Sequence, residues 1–367
     1  MMKRTASLLS AAALVVLVAP CLAAEADGIP RTASGHPDLT GTYNAATLTP
    51  LERPAGLGEK AFLTVEEAAA LAQEEHDLVS NALRQSDADR GAPPEGGAAV
   101  FGLEDTATGG NDFGAGNVGG YNFFWIDRGS DTFTVDGKIP TSIIVDPPNG
   151  RMPPMNPTAM KELMARFSSF LRPNDGTAWW VGKDGPGPYD GPESLAISER
   201  CILGFTGAAP TLPSLYNNFK SIVQTDDYVM ILIEMVHDAR IVRMQTEGHP
   251  VEHLPAGAKK WLGDSIGWWE GDTLVVDTTN FHPESSMRGG SENTHVVERF
   301  TKQANGDLVY RFTVEDDQVW TAPWTGEYTW RASQDRVYEY ACHEGNYAMG
   351  NIMRGARLLE KEALAAK

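Results

Sequence analysis

From Ser221 onward the chain alternates short β-prone runs with shorter turns, and that repetition limits the fold more than any other feature. The clearest case lies within Trp261–His282, where Ser265 to Glu270 rises, Gly271-Asp272 turns and Thr273 to Thr279 returns. Glycine supplies the positive φ that a two-residue hairpin turn demands. Runs 221–225 and 228–238 flank Asp226-Asp227, and 239–244 follows; 294–302 and 307–317 are joined through 303–306, and 326–332 and 336–345 through 333–335. That makes about nine strands, and short connections between consecutive strands imply antiparallel neighbours. So long a meander hides its edges by closing into a barrel or folding into two sheets. The expected class is mainly β: an antiparallel meander closing into a lipocalin-like barrel or a two-sheet sandwich, with two N-terminal-half helices packed on it and a ligand inside the barrel.

Ahead of the meander, Lys3 and Arg4 precede an uncharged run from Leu8 to Leu22 and then small residues, the pattern of a signal peptide over residues 1–24. Its apolar core is too short to span a membrane, and Pro20 before Cys21 departs from the small residue a lipidation site prefers. A formal net charge of −19 disfavours nucleic acid and anionic lipid as partners. Beyond the signal, Cys201 and Cys342 remain as an even pair. In an oxidising compartment such a pair forms a disulfide; buried free thiols and metal ligation are the alternatives. Residues 25–120 read as an arm, a helix and a glycine-rich loop, 121–220 as a strand–helix–loop segment packing on the barrel, and 221–367 as the meander. No linker divides them, so 25–367 is expected to form one compact unit.

Pro30 to Tyr43 reads as an extended arm. Thr64 and Glu67 fit a capping box ahead of a helix in which Val65, Ala68, Ala72, Val79 and Leu83 recur at helical spacing. Gly91 to Gly120 is glycine-rich but leads into 121–127, which reads as a strand, so a binding loop or lid fits it better than a phosphate cradle. Strand 141–146 and a turn precede Arg151; Asn156-Pro157 then opens a second helix with Met160, Leu163, Met164 and Phe167 on one apolar stripe, read as core packing.

Chemistry has to be read from strand parity, since residues two apart share a face. Glu234 falls with Leu232 and Val236, His237 with Ile233 and Met235, His295 with Val297 and Arg299, and Glu339 with Ala341 and His343; Trp268 pairs with Glu270, and Val275 with Asp277. Lone ionisable groups among apolar neighbours form acid–base pairs with shifted pKa values if those faces line a cavity, and are ordinary solvated residues if they face outward. His237, His295 and His343 with Glu339 or Glu234 form the alternative of a zinc or iron set. No HExxH, HxH or CxxC spacing is present, and no metal residue is assigned. The lack of a G-x-S-x-G elbow and of βαβ alternation disfavours a serine nucleophile and a dinucleotide cofactor.

The runs YNFFWIDRG, SIIVDPPNGRMPP, ERCILGF, WLGDSIGWWEGDTLVVDTTNFH, HVVERF, FTVEDD and EYACHEGNYAMGNIMRGAR, with HPDLTGTY in the opening arm, resemble a large family of secreted bacterial proteins abundant in soil and aromatic-degrading lineages, to which no activity is assigned. The resemblance covers most of the chain and transfers no catalytic residue. It implies a periplasmic or secreted setting and, through the lineages, small organic substrates.

Two functional readings follow. The first is an enzyme without organic cofactor performing acid–base chemistry (lyase, hydratase, isomerase or hydrolase) on a small lipophilic or aromatic molecule in the barrel. Its expected groups are His295 and His343 as general acid or base, Glu339 as orienting carboxylate, and Arg151 or Tyr121 stabilising negative charge. Trp125, Trp268, Tyr340 and His237 are expected to line the substrate. The second reading is a carrier that holds a small hydrophobic ligand in the same cavity without turnover.

Overall fold

Gly271 adopts φ 60° and reverses the chain between two seven-residue strands, as its turn chemistry requires. The computed structural model describes residues 28–83, 126–167, 176–204, 207–236, 238–285 and 290–366, and in it this hairpin belongs to a much longer sheet. The strands are β1 (Gly41–Asn44), β2 (Phe62–Leu63), β3 (Ile139–Pro140), β4 (Ile144–Asp146), β5 (Phe219–Gln224), β6 (Tyr228–Ile233), β7 (Ala239–Met244), β8 (Asp264–Glu270), β9 (Thr273–Thr279), β10 (His295–Lys302), β11 (Leu308–Glu315) and β12 (Trp324–Ser333). The helices are α1 (Val65–Ala82), α2 (Pro157–Phe167), α3 (Cys342–Gly345) and α4 (Tyr347–Ala365). Around the sheet the order is β1-β5-β6-β7-β8-β9-β10-β11-β12, and β12 pairs back onto β1, so nine strands close a barrel. β4 adds to β12 outside the closure, and β2 and β3 pair separately.

Three departures from the expected meander matter for function. The closing strand comes from the arm: Thr42 lies opposite both Ser333 and Ser221. β1 thereby occupies the edge of β12 that a further hairpin strand would need. Segment 336–345, expected as that strand, is instead coil leading into α3, so Glu339 and His343 do not share a strand face. Asn346 then caps α4, a helix with no counterpart in the sequence reading, by accepting the Met349 N–H.

Secondly, β7 and β8 are parallel, with Val242 opposite Ser265. A parallel pair cannot be joined by a tight turn. The connection 245–263 therefore crosses between them, where consecutive antiparallel neighbours were expected. Thirdly, β6 stops at Ile233, whose N–H donates to the Asp238 carbonyl in a tight reversal. Glu234 accordingly leaves the face of Leu232, and its carboxylate accepts the Phe219 N–H.

Inward-facing residues fill the barrel. Tyr43, Phe300, Tyr310, Phe312, Trp324, Tyr328 and Trp330 are buried, with the Tyr310 and Trp330 ring centroids 4.8 Å apart and those of Phe300 and Trp330 5.5 Å apart. These rings make a packed aromatic core in the described interior. Within it Arg240 forks onto Glu298, Nη2 donating to Oε1 at 2.8 Å and Nη1 to Oε2. The Tyr310 hydroxyl donates to the same carboxylate at 2.7 Å and accepts the Thr211 N–H, while Tyr328 donates to the Thr211 carbonyl. Those bonds fasten the buried run from Ala208 to Leu212 to the core.

The helices add less to the core than their spacing implies. The Thr64–Glu67 capping box forms and Ala68 is buried, but Val65 is exposed. Among the described side chains of α2 only Ala159 is buried, and Met160 and Met164 face solvent, contrary to the expected placement of those two in the core. Cys201 and Cys342 are disulfide bonded, with Cα atoms 5.7 Å apart. The bond ties the 176–204 loop to the first residue of α3 rather than to a last strand.

Candidate functional site

Burial of Leu274, Val276 and Thr278 shows which face of β9 points inward and leaves Asp277 outside. By the same alternation Asp264 on β8, His295 on β10 and Glu315 on β11 stand on the outer wall. The β7–β8 crossover brings His253 over that wall. His295 Nε2 lies 3.0 Å from Asp277 Oδ1, and His253 Nε2 lies 3.1 Å from the same oxygen. Each Nδ1 meets a second carboxylate: His295 meets Glu315 Oε2 at 3.2 Å and His253 meets Asp264 Oδ2 at 3.1 Å. Asp264 is buried and is held by Arg243 at 2.8 Å, the Leu254 N–H at 2.9 Å and Lys260 at 3.4 Å. The result is a continuous line, Glu315–His295–Asp277–His253–Asp264–Arg243, fixed at its buried end and open at Glu315.

The electrostatics follow from this geometry. The hydrogen bond to Asp277 raises His295 to about 8, opposed by partial burial and assisted by Glu315. Burial pushes Asp277 up, but its bonds with His295 and His253 outweigh that and hold it below the ordinary carboxylate range. Asp264 is likewise held down against burial, by Leu254, His253, Arg243 and Lys260. The sign of the linkage is fixed by the raised histidine. Stability from His295 is fully present below its ordinary value of 6.5 and is lost as pH rises through about 8. Melting curves of the wild type should therefore lose ground between pH 6.5 and 8.5 relative to a His295→Gln variant; parallel pH profiles for the two proteins would contradict the assignment.

The sequence-predicted residues are distributed unevenly around this line. His295 belongs to it, next to the open Glu315 end, with Asp277 as its inner partner rather than Glu339. Glu339 and His343 are exposed, in the coil after β12 and on α3. Arg151 is exposed beside the turn after β4, its N–H donating to Asn149. Tyr340 packs against the core, and Trp268 lies on the outer wall with its indole N–H donating to Glu270. Tyr121, Trp125 and His237 lie outside the described residues, as do the signal segment and the glycine-rich loop. His253, Asp264 and Glu315 escaped sequence reading. The usable signal was cross-strand: once β9 and β10 are neighbours with Val297 opposite Asp277, the parities of Asp277 and His295 coincide.

Among the described residues no group of three or more His, Cys, Asp or Glu side chains is arranged to hold a metal ion. No helix among them is long and apolar enough to cross a membrane. No protein-family model, curated protein or solved structure matches the chain.

A separate cleft of about 1060 Å³ lies between α1 and the wall of β11 and β12. Ala68, Ala72, Phe133, Val135 and Val309 contribute apolar surface to it, and Asp131, Asp307 and Arg331 contribute charge. It contains none of the histidine line.

Proposed function

We propose that the protein is a secreted or periplasmic enzyme that performs acid–base chemistry on a small lipophilic or aromatic molecule at the outer-wall histidine line, without an organic cofactor. The observation that supports this is the convergence of two imidazole Nε2 atoms on one oxygen of Asp277. In this reading Asp277, anchored through His253 to buried Asp264, orients the His295 ring and stabilises its positive charge. Glu315 is half exposed, and a surface ion pair of this kind is worth about 1 kcal/mol or less. A substrate displaces it and meets the His295 Nδ1–H, which acts as general acid. The imidazole left behind can then remove a proton from carbon or from water, the step shared by elimination, hydration, isomerisation and hydrolysis. The disulfide agrees with an oxidising compartment.

The test is a product screen by mass spectrometry with small aromatic esters, enones and aryl ethers. His295→Gln is expected to lower turnover by about a hundredfold or more, whereas a substrate converted equally by wild type and variant would defeat the reading. The cleft under α1 favours a second reading, a carrier for a small hydrophobic ligand. That reading expects a stoichiometric ligand with no turnover and no dependence on His295.

A further inference from the structure

We infer that Arg299 and Arg311 form a carboxylate-recognition subsite for the His295 site, so that its substrate is an elongated molecule with a carboxylate at one end and an apolar body; this rests on the acid–base reading above. The two arginines lie directly opposite one another on β10 and β11, on the same outer face as His295 and Glu315. Like charges at directly opposed cross-strand positions destabilise a sheet. Here each guanidinium is met by a carboxylate, Arg299 by exposed Glu270 at 2.7 Å and Arg311 by half-buried Glu327 at 3.2 Å. The arginine side chains are 41% and 45% exposed. The exposed Arg299–Glu270 pair contributes little and is readily exchanged, so the surface already shows how a carboxylate is taken there. An incoming carboxylate that engages both guanidiniums gains the forked geometry arginine offers.

The spacing joins this pair to the proton donor. Arg299 and His295 are four residues apart on one strand, a distance of about 14 Å. Between them lie Val297 and its partner Thr313, a weakly polar stretch suited to an aromatic or aliphatic body. Val275, opposite Arg299 on β9, is flanked on its other side by Trp268. A molecule anchored at the arginines and lying along β10 therefore brings its far end to His295 Nδ1. On a chain whose net charge is −19, two arginines at opposed positions on neighbouring strands also give an anionic substrate a defined landing point.

The test is calorimetric titration of the whole protein with biphenyl-4-carboxylate and with its neutral isostere biphenyl-4-carboxamide. The carboxylate is expected to bind at least about tenfold more tightly than the amide. Arg299→Gln and Arg311→Gln should each weaken it about fivefold or more, and Glu327→Gln should tighten it by removing a competing carboxylate. No binding by the wild type, equal binding of acid and amide, or arginine variants that bind as well as wild type would overturn the inference. The two proposals fail separately: turnover that needs His295 but ignores the arginines removes the subsite alone, and arginine-dependent binding with no His295-dependent turnover removes the acid–base reading alone.

Discussion

Replacing Glu298 by alanine is expected to destabilise the barrel by about 3–5 kcal/mol, the usual consequence of stranding one member of a buried ion pair. Glu298 is fully buried, and its carboxylate accepts both arms of the Arg240 fork and the Tyr310 hydroxyl. Burial would lower Arg240, and the adjacent carboxylate more than compensates, so its pKa lies above the ordinary value. Without Glu298 that guanidinium, itself buried, has no counter-charge paired with it among the described residues, and Tyr310 loses its acceptor. The expectation for the double replacement Arg240→Met with Glu298→Leu is different: most of the loss should be recovered, because neither charge then has to be desolvated. Urea unfolding with the disulfide intact separates the cases. A Glu298→Ala protein as stable as wild type would mean that Arg240 finds another partner inside the barrel.

Lys220→Met is expected to act in the opposite direction, stabilising the protein by an amount on the order of 3 kcal/mol near pH 7. Lys220 points inward from β5, opposite Tyr43 and Ile233, and is fully buried. Its Nζ has no hydrogen-bond partner among the described residues. Burial depresses the amine from 10.5 to about 7, against the attraction of Glu234 and Asp238. The unfolded chain therefore holds a proton that the folded chain gives up across that window. For a depressed group the stability is fully present above 10.5 and is lost as pH falls to about 7. The advantage of methionine, which keeps the unbranched stem and removes the amine, should be greatest at and below neutrality and shrink toward pH 10. Unfolding free energies for the pair at pH 7, 8.5 and 10 check this. A constant difference, or a destabilised variant, would show that the amine has partners that hold it charged.

These two interior sites illustrate why local patterning was informative about the barrel and nearly silent about its polar contents. Alternation along 294–302 and 307–317 is strong because Val296, Phe300, Tyr310 and Phe312 all point inward. The same alternation carries Glu298 inward, where a charged residue in a period-two pattern would ordinarily be assigned to the solvent face. Only its partner on β7, far away in sequence, makes that position tenable. His295 lies beside Asp277 and not beside the expected Glu339 for a related reason. Glu339 and His343 shared a presumed strand, but β1 had already taken the edge of β12 that such a strand required. The arm that supplies β1 carries four paired residues and no hairpin signal, so nothing local announces it. His253 was invisible because it sits in a connection, and nothing in its neighbours reports that β7 and β8 run parallel.

Turn chemistry and binary patterning, both of which act between residues close in sequence, were enough to determine from the sequence alone that the chain is mainly β, that Gly271-Asp272 closes a hairpin, and that a closed or double sheet follows. The even cysteine count beyond the signal segment marked out Cys201 and Cys342 as a pair. Closure through β1, the parallel crossover that delivers His253, the outward direction of the Asp277 and His295 faces, and the pairing of Arg240 with Glu298 were decided only by the tertiary structure. Each of these depends on which strand lies beside which, and that choice is made by the packing of the whole aromatic core rather than by any segment taken alone.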